Sequence, residues 1–260
     1  MKTHDIERYI DFANRLADIS GEIIRASFRK LNSIEVKADE SPVTDIDREV
    51  ERTLREEIES ECSDNGIIGE EYGSFKEDAE FVWIIDPIDG TKAFISGIPV
   101  FGTLIALARY GEPILGIIDQ PISKDRWIGV DGVQTTFNGR PVCVRQCPDI
   151  AEAIIETSSP EYFKGSDRNA YEHLVGATKW AVYGGSCYAY GLLSSGFIDI
   201  GFEAEHDPFD YCALVPIVKN AGGVITDWQD SPLTIRSGTR FIAAGDKRVH
   251  AEAIRILNVE

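Results

Sequence analysis

The stretch Trp83-Ile84-Ile85-Asp86-Pro87-Ile88-Asp89-Gly90-Thr91 carries an apolar strand, Phe81 to Ile85, straight into two carboxylates, a glycine and a threonine hydroxyl. An unpaired buried carboxylate costs several kcal/mol, so two acids at the tip of a buried strand call for a cation beside them. The motif holds no basic residue before Lys92, which makes a divalent metal ion the economical partner. Where a strand turns into a helix, the Asp86–Asp89 spacing lets both carboxylates converge on one point. Oxygen-only ligands suit Mg²⁺, a hard cation that prefers carboxylates together with a substrate phosphate. Gly90 permits close backbone approach, and Gly90 and Thr91 open a short helix whose free N–H groups point at an anion. The Thr91 hydroxyl can orient a water. A plainer reading, with Asp89 as a helix cap and Asp-Gly as a turn, accounts for either acid singly but not for two acids next to one hydroxyl.

Composition narrows the classes. The chain has 260 residues, enough for one large domain or two tightly packed halves, and it can bury a substantial core. Its net charge of -18 argues against nucleic acid and against anionic membranes as partners. The same charge would repel a phosphorylated substrate unless metals reverse the sign locally, which again favours metal at the site. Met1 to Ile6 is polar, without a segment of signal-peptide type, and no apolar run approaches the roughly 18 residues of a membrane span. The five cysteines, at 62, 143, 147, 187 and 212, are expected to be reduced thiols in a cytoplasmic protein.

Along the chain, Ile6, Tyr9, Ile10, Ala13, Leu16, Ala17, Ile23, Ile24, Phe28 and Leu31 recur at helical spacing, which predicts a helix over 4–31 followed by a polar connector over 32–42. Thr44 then caps a helix carrying Val50, Leu54 and Ile58. Short strands are predicted at Gly66 to Gly69, Thr103 to Ala108, Ile114 to Asp119 and Trp127 to Val130, with a hairpin over Thr135 to Val144 turning at Asn138-Gly139. Further on come a strand at Ala153 to Thr157, a helix at Asn169 to Val175, a helix capped by Ser186 running to Leu193, and a strand at Phe197 to Phe202. Asp207-Pro208 starts a helix that runs to about Ala221 and stops at Gly222-Gly223. Strands at Val224 to Thr226 and Phe241 to Ala244 and a helix at Lys247 to Leu257 close the chain. Strands and helices come in clusters, so the expected class is α/β with layered sheets and helices between them. The expected division is an N-terminal α+β half over 1–148 holding the metal and phosphate site, and a C-terminal α/β half over 149–260 holding a substrate loop and a last metal ligand.

Other acids carry less when taken singly. Glu70-Glu71 ends an apolar strand after Gly69, where acidic pairs are usually solvated. Thr44 with Asp47 fits a capping box, and Asp45 accompanies them. Asp210 sits three residues into its helix, where an acid also favours the helix dipole.

As a set they resemble a known family. Val43-Thr44-Asp45-Ile46-Asp47, Gly69-Glu70-Glu71, Asp86-Pro87-Ile88-Asp89-Gly90-Thr91 and Phe209-Asp210-Tyr211-Cys212-Ala213 followed by Ala221-Gly222-Gly223 are similar, in order and spacing, to the motifs of the inositol monophosphatase superfamily. The resemblance implies an alternating αβαβα sandwich of the inositol monophosphatase and fructose-1,6-bisphosphatase type. It implies Mg²⁺-dependent, lithium-sensitive hydrolysis of phosphate monoesters by a protein that is commonly a homodimer. Carried over, it places Glu70, Asp86 and the Ile88 carbonyl on a first metal, Asp86, Asp89 and Asp210 on a second, and Glu70 on a weaker third. Thr91 with Asp47, beside Glu70, would orient and help deprotonate the attacking water, and Gly90 and Thr91 would face the phosphate.

The run Lys92-Ala93-Phe94-Ile95-Ser96-Gly97-Ile98-Pro99-Val100-Phe101-Gly102-Thr103-Leu104-Ile105-Ala106-Leu107 looks like the histidinol-phosphate phosphatase branch, as does Trp127 to Arg145, and Phe209 stands where inositol phosphatases usually carry Trp. A substrate with an amine and an imidazole wants acids nearby, and Glu203 holds the position that in the family contacts the non-phosphate part, with Asp199 and Glu205 as further candidates. Gly185-Ser186-Cys187 resembles the other substrate-facing segment. For Glu203 and Glu205 a solvated acidic loop, and for Ser186 a plain N-cap, are equally good readings. His206 is read as a surface or packing histidine. The rival functions are an inositol or broad sugar-phosphate monophosphatase, a phosphatase of adenosine 3',5'-bisphosphate, and a catalytically dead relative that serves as a binding protein.

Overall fold

The computed structural model describes residues 3–30, 34–36 and 42–258. Helix α1 (Thr3–Ser27) presents Phe12, Ala13, Leu16, Ala17 and Ile24 on one buried stripe. Leu31, expected in this helix, lies outside the described residues. Most of the expected connector does too, but a small antiparallel pair, β1 (Ile34–Val36) with β2 (Pro42–Thr44), is described at its ends. Helix α2 (Asp45–Glu61) starts where the Thr44 side chain and Asp47 close a reciprocal capping box.

An eight-stranded sheet follows from β3 (Gly66–Gly69), β4 (Gly73–Phe75), β5 (Phe81–Asp89), β6 (Gly102–Arg109), β7 (Glu112–Gln120), β8 (Asp125–Val130), β9 (Val133–Phe137) and β10 (Arg140–Pro141), with the short helix α3 (Thr91–Ile95) leaving β5. Its spatial order is β10-β9-β8-β7-β6-β5-β3-β4, antiparallel except for the β3/β5 pair. Asn138 and Gly139 both take positive φ at the expected hairpin turn, which suits the twist of the flanking strands.

The second half supplies β11 (Ile154–Thr157), α4 (Ser166–Gly176), β12 (Trp180–Tyr183), α5 (Ser186–Ser194), β13 (Ile200–Glu203), α6 (Pro208–Tyr211), α7 (Leu214–Asn220), β14 (Val224–Asp227), β15 (Phe241–Ala244) and α8 (Lys247–Leu257). The strands form a five-stranded sheet in the order β12-β11-β13-β15-β14.

Alternation along β5 shows how the layers stack. Trp83 and Ile85 face a cluster built with α1 and α2, through Leu16, Ile24, Val50 and Leu54. Val82 and Ile84 face the opposite cluster, which holds Tyr190 and Leu193 of α5, Leu214, Ile217 and Val218 of α7, and Phe241 and Ala243 of β15. Ile242 and Ala244 turn the other way, onto Leu174 of α4 and Val249 and Ala253 of α8. The order is therefore helices, eight-stranded sheet, helices, five-stranded sheet, helices: a five-layer αβαβα sandwich.

Several elements depart from expectation. The helix predicted from Asp207 to about Ala221 is two helices with a break at Cys212–Ala213. Pro216 has no N–H to give the Cys212 carbonyl, so the hydrogen-bond ladder lapses there. Ser186 is not the cap of α5 but its first residue, at φ 47°, with Gly185 in the cap position. Strand β12 was not foreseen; it is a short edge strand with Trp180, Val182 and Tyr183 exposed, so it carries no alternating pattern.

Candidate active site

Strand β5 runs through the whole Asp86–Asp89 segment instead of ending before it. In a regular strand, residues three apart point to opposite faces. Here Asp86 pairs with Leu104 while Asp89 pairs with Gly102, so β5 holds one residue more than its partner between those points. This bulge brings both carboxylates to one side. It is tied down from below: the Thr103 hydroxyl donates to the Pro87 carbonyl at 2.9 Å, and Ser20 of α1 reaches Thr103 at 2.5 Å. Neither residue was singled out by sequence; a hydroxyl at the start of an apolar strand was the only signal.

Asp210, in the first turn of α6, arrives from the far half of the chain. One oxygen from each of Asp86, Asp89 and Asp210 falls within 4.8 Å of the others. Two of the three acids have one oxygen already engaged. Asp89 Oδ2 accepts from the Cys187 N–H, Asp210 Oδ2 accepts from the Asp207 N–H at 2.6 Å, and Asp86 Oδ1 is buried with no hydrogen-bond partner. Burial, followed by the nearby Glu70, Asp89 and Asp210, pushes Asp86 well above the usual carboxylate range. Burial also raises Asp89, against the opposing pull of the Cys187 hydrogen bonds. Burial brings Asp210 up to about 7, with Asp89 adding to the shift and His206 opposing it. Such a group of acids stores unfavourable charge that a divalent cation would relieve, and the donor set is all oxygen.

Glu70 reaches the same cavity and lies near enough to Asp86 to help raise its pKa, while its N–H donates to the Ile85 carbonyl at 3.3 Å. The Thr91 hydroxyl lies 3.0 Å from the Ile88 carbonyl and 3.3 Å from Asp47 Oδ1. Asp47 is fully buried and serves two ends: Oδ2 takes the Thr44 N–H and hydroxyl, and Oδ1 faces Thr91. The capping role and the site role thus coexist in one side chain. Gly90, at φ 85°, is the cap of α3; a Cβ there would stand 2.8 Å from the Ser186 hydroxyl and 3.3 Å from the Phe101 Cα. Glycine is what lets the two strained turns, at Gly90 and at Ser186, face one another.

Glu70, Asp86, Asp89, Gly90, Thr91 and Asp210 line a cavity of about 660 Å³, with Asp47 buried behind Thr91; Ser158, Glu161, Tyr162, Lys164, Glu205, His206, Asp207 and Phe209 line it too. Glu203 does not reach it. It is fully buried beneath, with its carboxylate accepting from the Thr157 hydroxyl, the Ser158 N–H and hydroxyl, and the Tyr190 hydroxyl. It holds Ser158 at the wall instead of touching a ligand. Asp199 likewise leaves the candidate set: it pairs with Arg145 and takes the Ile154 N–H. Gly185 lies behind the wall, donating to Glu156 at 2.8 Å, whereas Ser186 lines it. Glu156 was missed; it is buried with Oε2 unpartnered, and burial followed by Glu203 raises it well above the usual range. His206, given no role from sequence, lines the cavity. Its Nδ1 lies 2.8 Å from the Ala204 carbonyl, and although burial opposes it, Glu203 and Asp210 hold its pKa above the usual value. All five cysteines are free. Among the described residues no helix is long and apolar enough to cross a membrane.

The sequence model of the inositol monophosphatase family matches residues 5–259. The chain is 44% identical to the Bifunctional phosphatase IMPL2, chloroplastic, of Arabidopsis thaliana, over 97% of this chain and 76% of that protein. It is 34% identical to the Histidinol-phosphatase of Mycobacterium tuberculosis, over 81% of this chain and 84% of that one. Among solved structures, an inositol monophosphatase from Zymomonas mobilis superposes with a TM-score of 0.91 at 42% identity, each chain covered in full. A family match that spans nearly the whole chain, on a fold and an acid cluster of this kind, has one consequence: the chain is a phosphatase of the inositol monophosphatase family, whose members depend on metal.

Proposed function

We propose that the enzyme hydrolyses L-histidinol phosphate to L-histidinol and inorganic phosphate with two Mg²⁺ ions, joined by a weaker third. In this reading Glu70, Asp86 and the Ile88 carbonyl hold one ion, and Asp86, Asp89 and Asp210 the other. The orphaned, buried Asp86 Oδ1 between them fits this assignment, since it has no protein donor to satisfy it. Bound there, the ions supply an acidified water and neutralise charge on the phosphoryl group and the leaving oxygen. The chain does the rest. Thr91 holds the attacking water through its hydroxyl, and Asp47 Oδ1, 3.3 Å from that hydroxyl, draws the proton toward it. The N–H groups of Gly90 and Thr91 face the phosphate, and Ser186 closes the pocket over Gly90. No covalent phospho-enzyme is needed.

The observation that carries the choice of alcohol is the rest of the cavity wall. Glu161, Glu205 and Asp207 line it beside Tyr162, Phe209 and Lys164. Lys164 Nζ sits 3.1 and 3.0 Å from the two oxygens of Glu205 and occupies it, which leaves Glu161 and Asp207 to meet a substrate cation. Lys92 Nζ lies over the Tyr162 ring at 5.3 Å, so that ring accepts a cation as well. An ammonium and an imidazole match this wall better than a ring of neutral hydroxyls does. The full-length likeness to an inositol monophosphatase supports the second reading, a broader monophosphatase that also takes inositol 1-phosphate. The test is kcat/KM for both esters at saturating Mg²⁺. Histidinol phosphate is expected to lead by at least about tenfold, or about 1.4 kcal/mol. Preference for inositol 1-phosphate refutes the specificity.

A further inference from the structure

We infer that Glu51 is a positioning residue of the metal site, which sets where Glu70 stands by holding the turn that follows it. The inference rests on the metal reading above, but not on which ester is cleaved.

Glu51 lies one helical turn after Asp47 on α2 and is fully buried on the inward face, between Val50 and Leu54. A carboxylate in that place must be partnered. Its Oε2 accepts the Glu71 N–H at 2.6 Å, and its Oε1 accepts the Tyr72 N–H at 3.1 Å and Arg55 Nε at 2.7 Å. Arg55 extends the clamp by donating to the Gly73 carbonyl. The chain makes room for it. A Cβ on Gly69 would fall 2.0 Å from Glu51 Oε1 and 2.5 Å from its Cδ, so only glycine lets this carboxylate slide under the end of β3.

Glu70 stands between two anchors. Its own N–H is bound to the carbonyl of Ile85, the residue before Asp86, and the next two amides are bound to Glu51. Charge-assisted bonds from amides to a buried carboxylate are short and stiff, and groups that orient metal ligands in this way typically set affinity. Helix α2 therefore serves the site twice, with Asp47 toward Thr91 and Glu51 toward the Glu70 turn, from positions four residues apart that share a helix face. An ion pair with Arg55 alone would not explain why both Glu51 oxygens are spent on the main chain beside a cavity acid.

The test is calorimetric titration of Mg²⁺ into the substrate-free protein, with thermal unfolding in EDTA measured alongside. Glu51→Gln is expected to raise the Mg²⁺ dissociation constant about tenfold. Leu54→Ala, which removes buried core from the same helix, is expected to lower the Tm at least as much while leaving that constant within about twofold. In a Glu70→Gln background, Glu51→Gln is expected to weaken binding by less than about twofold more, because the residue it positions is already disabled. Should Glu51→Gln not fold, Glu51→Asp, which keeps the charge but withdraws it by one methylene, makes the same comparison with a several-fold loss. An unchanged constant in a folded variant, an equal loss in Leu54→Ala, or additive losses in the double variant overturns the role. Failure of both variants to fold also overturns it, since Glu51 is then a folding determinant. A wild-type protein without saturable Mg²⁺ binding instead refutes the metal reading, which keeps the two failures apart.

Discussion

Asp89→Asn separates an acid kept for a cation from an acid kept for structure, because the two roles predict opposite signs for the stability of the metal-free protein. Asp89 has Asp86 and Asp210 as neighbours, with oxygens within 4.8 Å. Burial and the acids around it push Asp86 well above the usual carboxylate range, so the repulsion is worked for Asp210. At 4.8 Å and an effective permittivity of about 20, fitting for acids that line a cavity, one ionised pair repels by about 3.5 kcal/mol. The amide keeps an oxygen for the Cys187 N–H but makes a neutral bond of it, at a cost of about 1 kcal/mol. The net gain is about 2.5 kcal/mol, which for a chain of this size is a Tm rise of roughly 5–10 °C. Differential scanning calorimetry in EDTA at pH 8 reads it directly. At pH 5.5, where Asp210 is protonated, the repulsion is gone and only the weakened Cys187 bond remains, so the variant should melt roughly 2–4 °C below the wild type. With Mg²⁺ present, the same variant should lose at least about 10²-fold in turnover of a phosphate monoester. A lower Tm at pH 8, or near wild-type turnover, would show that Asp89 serves only as an acceptor for α5.

The pH dependence follows from the same charges. The folded pKa of Asp210, about 7, lies above that of an unfolded carboxyl near 4, so the metal-free protein should lose stability as pH rises between those values; Mg²⁺ affinity, competing with the same protons, should tighten over that range. Calorimetric titrations at pH 5.5 and 8 check this, and weaker binding at pH 8 would contradict it. Thr91→Ala should lower kcat by about 10²-fold or more with little change in the Mg²⁺ dissociation constant, and Thr91→Ser should recover most of it, because only the hydroxyl is used. Gly90→Ala should destabilise by about 1–3 kcal/mol, since it adds strain at φ 85° to a 2.8 Å clash with Ser186; chemical denaturation measures it, and an unaffected midpoint would mean the two turns can part.

Much of the architecture was legible because it is written in local patterns. The inward stripe of α1, the Thr44–Asp47 cap, the Asn138-Gly139 hairpin and the acid-tipped strand are each short-range signals. What stayed hidden depends on partners remote in sequence. Glu203 has the same local look whether it faces solvent or sits under Ser158, and only the pairing of β11 with β13 decides it. Ser186 reads as a cap, yet it takes positive φ within packing contact of Gly90, from the other half of the chain. The edge strand β12 carries exposed aromatics and so shows no period.

By itself, the sequence determined which groups can bind a hard cation and where along the chain they sit, because carboxylate chemistry and strand or helix periodicity are local properties. The tertiary structure alone decided that Asp86 and Asp89 share a side, since an odd spacing in a strand points them apart until the bulge opposite Leu104 and Gly102 adds a residue. It alone carried Asp210 and Glu70 to within reach of that bulge, by folding the two sheets around α5 and α7. Convergence of charges from distant segments is costly to any local pattern. It persists only where the packing of the whole sandwich enforces it and a cation stands to relieve it.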